Sequence, residues 1–77
     1  MKLSEAVGKR VEKLLNERNM TQYKLSKEGG IPRSTISVTV DGKYNTVKLD
    51  TVYQIAATLG ISLKDFFDDP LFDDVED

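Results

Sequence analysis

The sequence predicts an all-α domain of five short helices, and three observations carry that prediction. Apolar residues recur at three- and four-residue spacing near both ends of the chain; glycines follow these stretches where helices commonly stop; and Thr21 and Ser62 stand where helices commonly start. Seventy-seven residues with 39% hydrophobic content suffice for one compact core and no more.

Helix one is expected over residues 3–18, where Leu3, Val7, Val11, Leu14 and Leu15 line one face. Gly8 lies inside it at a cost of about 1 kcal/mol relative to alanine, so the first turns are expected to be loosely held. Asn19 and Met20 interrupt the pattern. Thr21 is a good N-cap, its hydroxyl able to accept from a free amide of the next turn, and helix two is expected over 21–28, ended by Gly29 and Gly30.

The stretch Ile31 to Val40 is ambiguous by propensity, because its β-branched run would suit a strand. Two features favour a helix over 32–40. Pro32 fits a first-turn position that needs no amide hydrogen, and Ile31, Ile36 and Val40 could share one buried side. Asp41-Gly42 is a turn signal, and Lys43 to Lys48 reads as a polar loop carrying Tyr44 and Asn45.

Leu49, Val52, Ile55, Ala56 and Leu59 form the cleanest stripe in the chain, with Gly60 where a left-handed residue often closes a helix, so helix four is expected over 48–59. Ser62-Leu63-Lys64-Asp65 has the form of a capping box, which starts helix five over 62–68 and brings Phe66 and Phe67 into the core. Residues 1–67 are thus one domain. The remaining acidic stretch, 68–77, is expected to be a flexible tail.

Composition narrows the chemistry. The chain has no cysteine and no histidine, which removes disulfides, thiol nucleophiles, histidine catalysis and most zinc sites. Acidic residues pair up only in the tail, where nothing would hold their geometry, so neither an enzyme nor a metal or other cofactor is expected. No apolar run approaches the ~20 residues needed to cross a bilayer, and Met1-Lys2-Leu3-Ser4-Glu5 lacks the apolar stretch of a signal peptide; a cytoplasmic location and no membrane partner are the expectation.

Charge is segregated beneath a net of −2: residues 1–64 hold all 11 lysines and arginines against six acids, whereas 65–77 hold seven acids and no base. A basic body suits a polyanion, although its excess is also ordinary for a helical domain. Alternating apolar and acidic residues from Pro70 to Val75 leave two readings of the tail, a solubilising end or a segment that binds a protein partner.

Two short helices joined by a glycine-containing turn, inside a five-helix domain, have the layout of a helix-turn-helix. The residues themselves resemble the lambda-repressor-like, or Xre-type, helix-turn-helix regulators over about residues 7–67. The carriers are Thr21-Gln22, Leu25-Ser26, Gly30-Ile31, Ser34-Thr35-Ile36-Ser37, Gly42-Lys43, Val52, Ile55-Ala56, Leu59-Gly60-Ile61-Ser62-Leu63 and Phe66-Phe67. The ordered set, rather than any one element, carries the resemblance.

The resemblance implies sequence-specific binding of double-stranded DNA by a bacterial or phage transcription regulator, as a homodimer on an inverted-repeat operator and usually as a repressor. Helix three would lie in the major groove with Arg33, Ser34, Thr35, Ser37 and Val38 toward the bases. Arg33 offers a fork suited to guanine, the serine hydroxyls suit several bases, and Val38 would present methyl groups to thymine. Gln22 would bind a phosphate or brace helix three, while Lys43, Tyr44 and Asn45 would hold the backbone. Val38 could instead belong to the core, and Tyr44 could pack on helix four.

The sequence also departs from the family. A helix-one arginine commonly pairs there with a glutamate near the end of helix three, and here the corresponding residues are Leu15 and Val40; packed hydrophobes can replace a buried ion pair at no loss of stability. Thr39 replaces a large apolar residue, and Asp41 places a negative charge near the expected phosphate track. A protein-interaction module, antitoxin-like or adaptor-like, is the alternative reading of the same layout.

Overall fold

The computed structural model describes residues 1–76. Among these are α1 (Leu3–Glu17), α2 (Gln22–Gly29), α3 (Arg33–Asp41), α4 (Leu49–Thr58), α5 (Leu63–Phe67) and a 3₁₀ turn (Pro70–Asp74), with no strand. The ambiguous segment is therefore helical. Pro32 sits just ahead of α3 as its N-cap rather than inside its first turn.

Local chemistry sets most boundaries. Glu5 accepts from the Lys2 amide at the start of α1. The end of α1 is closed by Asn19, which adopts a φ of 51°, so that Met20 N–H reaches back to the Leu15 carbonyl at 2.9 Å and Asn19 N–H to that of Asn16. Asparagine tolerates this left-handed conformation better than other residues with a side chain. Thr21 Oγ1 accepts from Lys24 N–H at 3.1 Å, and Ser62 Oγ from Asp65 N–H at 3.0 Å. The Asp65 half of the anticipated capping box is not made.

The core unites Val7, Val11, Leu14 and Leu15 of α1 with Leu25, Ile31, Ile36, Val52, Ile55, Ala56, Leu59 and Phe66. Leu15 is buried and Val40 packs half-buried against this cluster, so both members of the apolar replacement pair are accommodated. Thr39 is buried too, and its hydroxyl donates to the Thr35 carbonyl at 2.7 Å. The first residue of each long stripe behaves differently from the rest: Leu3 and Leu49 remain 44% and 65% exposed.

Gly8 has a packing role that propensity does not suggest. A β-carbon there would stand 2.5 Å from the Val40 carbonyl oxygen and 2.7 Å from that of Thr39, so α1 and α3 touch backbone to backbone at this point. Ser4, Ala6, Val7 and Gly8 are all buried, which places the first turns of α1 firmly against the domain.

The acidic end departs from the expected flexible tail. Residues 70–74 form the 3₁₀ turn against α1, and Phe72 completes a cluster with Phe66 and Phe67 at ring-centroid distances of 6.2 and 5.0 Å. Apolar residues interspersed among the acids supply the adhesion; a count of charges overlooks them. Asp77, also assigned to the tail, lies outside the described residues.

The second fastening is ionic. Asp69 accepts from Arg10 Nη1 at 3.1 Å, from Lys13 Nζ at 2.7 Å and, through its other oxygen, from Leu71 N–H at 2.9 Å. The Lys13 hydrogen bond is the largest cause holding its carboxyl below the usual value, followed by the Leu71 amide; burial opposes them. Arg10 also donates from Nε to the carbonyl of Phe66 and from Nη2 to that of Asp65. Arg10 thereby anchors α5 and the 3₁₀ turn together.

Candidate nucleic-acid interface

The register of α3 follows from what it buries. Ile36 and Thr39 face inward, with Ile31 just before the helix doing the same. A helix advancing 100° per residue then turns 33, 34, 37 and 38 outward along one stripe. Arg33, Ser34, Ser37 and Val38 are all exposed, and Thr35 is half-buried at the edge of the stripe.

Both residues with two readings point outward. Val38 is 45% exposed, and Tyr44, in the loop after α3, is 61% exposed. They line one cleft of about 410 Å³ with Ser34, Thr35, Thr46 and Gln54, which runs between α3, the loop and α4. An apolar methyl surface and a phenol thus border the same opening.

The loop is held from outside as well as from within. Lys2 Nζ donates to Asn45 Oδ1 at 2.8 Å, which leaves the amide NH₂ of Asn45 available. Ser4 Oγ donates to the Gly42 carbonyl, while Gly42 takes a φ of 68° and lies so close to α1 that a β-carbon would meet Glu5 Cα at 3.0 Å. Lys43 is exposed beside Asp41, with Nζ and Oδ2 3.6 Å apart. That pairing offsets the negative charge that Asp41 brings to this edge.

On the other side of α3, α2 crosses its N-terminal end. Gly29, the last residue of α2, permits close packing on α4, because a β-carbon would approach Thr58 Oγ1 to 2.6 Å. Gly30 carries the chain through a φ of 62°, and Ser26 Oγ bonds the Ile31 carbonyl across the turn. Gln22 is exposed at the first position of α2, and no hydrogen bond ties it to α3. Of its two expected roles, bracing α3 therefore has no bond behind it.

Two contributors escaped the sequence reading. Lys2 brings a cation to the loop from 43 residues away, and Tyr23 lies beneath Arg33 across the turn. Only the Tyr23 to Lys27 spacing along α2 was a readable hint. Among the described residues, no cluster of His, Cys, Asp or Glu is placed to hold a metal ion.

The surface is therefore an exposed helix edge flanked by basic and amide groups, with the acidic turn fastened to α1. Such an edge can enter a groove and hydrogen-bond outward. Comparison with known proteins agrees with the geometry. Residues 10–70 match the model of the Cro/C1-type HTH DNA-binding domain. The crystal structure of protein 11 of prophage Lp1 superposes with a TM-score of 0.82 at 30% sequence identity, covering 97% of this chain and 100% of that one. No curated protein matches the chain. The chain belongs to the Cro/C1-type helix-turn-helix family of DNA-binding domains.

Proposed function

We propose that the protein is a transcription regulator of bacterial or phage type that binds a specific double-stranded DNA site in the cytoplasm and acts as a repressor. One observation carries this reading: Arg33, Ser34, Ser37 and Val38 form a continuous exposed stripe on α3, with Lys43, Tyr44 and Asn45 beside it. Arg33 donates to guanine, the two serines and Thr35 accept or donate at neighbouring bases, and Val38 meets a thymine methyl. Gln22, Lys43, Tyr44 and Asn45 hold the phosphates on either side and set the register.

The chain acts as a homodimer on an inverted repeat. A recognition helix of nine residues offers little area, and twofold symmetry doubles it. The apolar surface next to α5, where Leu3 and Leu49 border a small groove with Phe67, supports that reading.

Selection from random duplex DNA tests the function. An enriched, two-fold symmetric motif is expected, and Arg33→Ala should cost about 1–3 kcal/mol on it and relax preference at one position of each half-site. No DNA retained at low salt would reject DNA recognition and favour the protein-interaction module.

A further inference from the structure

We propose that Tyr23 is a positioning residue for Arg33: its ring holds the guanidinium at the leading edge of α3 and thereby sharpens discrimination at the base pair Arg33 reads. The inference rests on α3 being the base-reading helix.

Tyr23 is the second residue of α2 and Arg33 the first of α3, on opposite sides of the helix-turn-helix turn. The Arg33 Cζ lies over the Tyr23 ring, 5.2 Å from its centroid. Lys27, one turn further along α2, brings Nζ to 5.7 Å from the same centroid. Tyr23 is half exposed and takes no part in the core cluster, so packing gives it no other role.

The physical argument turns on which part of the guanidinium the ring engages. The negative face of an aromatic ring attracts the cation as a whole, whereas a carboxylate would occupy its N–H groups. Within the described residues no acceptor takes a hydrogen bond from Arg33. Its donors are therefore unspent, and two of them are what a guanine O6 and N7 require. An unsupported arginine at an exposed helix start samples many rotamers and loses that freedom on binding. Tyr23 narrows the search beforehand without competing for the donors.

Lys27 has a different relation to the ring. Its ammonium lies on the α2 side, where it adds positive charge near the same edge without a planar fork to read a base. Removing the ring should therefore affect base discrimination, while removing Lys27 should affect affinity for all sequences alike.

The experiment measures binding of the full chain to its selected motif and to the motif altered at the Arg33-dependent base pair. Tyr23→Leu is expected to lower the ratio of these affinities about two- to five-fold, the range of an exposed cation–π contact, while Tyr23→Phe keeps it. In an Arg33→Ala background, Tyr23→Leu should change neither affinity further. Thermal melting establishes that each variant is folded, and Tyr23→Phe serves as the check that keeps the hydroxyl separate from the ring.

An unchanged ratio in Tyr23→Leu overturns the proposal, as does an equal loss on both DNAs or a loss that persists without Arg33. If instead no motif is selected, or Arg33→Ala leaves the motif as it was, the base-reading role of α3 is what fails, and the role of Tyr23 falls with it.

Discussion

Arg10 and Asp69, 59 residues apart in sequence, meet at 3.1 Å where α1 passes the C-terminal 3₁₀ turn, with the Asp69 side chain only 5% exposed. The contact converts an acidic chain end into part of the folded domain. It also directs that charge against α1 rather than α3.

Asp69→Ala should destabilise the domain by about 2 kcal/mol, since it strands a buried arginine and removes charge-assisted hydrogen bonds. A fall in Tm of roughly 10 °C is expected by circular dichroism. Lys13→Ala should cost less, because its half-exposed ammonium is solvated either way. Equal melting of Asp69→Ala and the parent would show that the turn does not contribute to stability.

The same carboxylate makes stability pH-dependent. Its folded-state value is lowered, first by the Lys13 hydrogen bond, so its contribution is complete above the unfolded value near 3.8 and is lost as pH falls through the folded one. Urea titrations should find the difference between parent and Asp69→Asn constant near neutrality and shrinking below about pH 4. A difference that grows on acidification would contradict the assignment.

Gly8→Ala should destabilise, although alanine favours helix by about 1 kcal/mol. Its β-carbon would meet two backbone carbonyls of α3, which cannot move aside as a side chain would. A net loss of roughly 1–3 kcal/mol in chemical denaturation is expected. A more stable Gly8→Ala protein would mean that the two helices can separate freely.

Lys43→Ala should weaken DNA binding about uniformly across sequences and reduce the slope of log K against log salt by about 1. A salt titration of fluorescence anisotropy measures both. A change in base preference with no change in slope would place Lys43 at a base rather than a phosphate.

Helix-level organisation was legible because it depends on neighbours within one turn. The spacing of Val7, Val11, Leu14 and Leu15, the Thr21 and Ser62 caps, and Gly30, Gly42 and Gly60 at φ of 62°, 68° and 76° each act locally. The candidate reading residues came from the family resemblance, and the structure sets their register by burying Ile36, since one inward residue orients a whole helix. Whether Val38 and Tyr44 face outward was left open by sequence, because an isolated valine or tyrosine satisfies core and surface alike.

What the amino-acid order determined by itself was five helices and, to within a residue or two, their ends. Tertiary structure alone decided that Val38 faces outward, that Gly8 is a backbone contact, that Asp69 binds the acidic end to α1 and Phe72 binds it to α5, and that Tyr23 meets Arg33. The reason is distance along the chain. A cap or a stripe is an interaction over three or four residues, whereas these contacts join residues from different elements, up to 59 positions apart, and form only once the helices have packed.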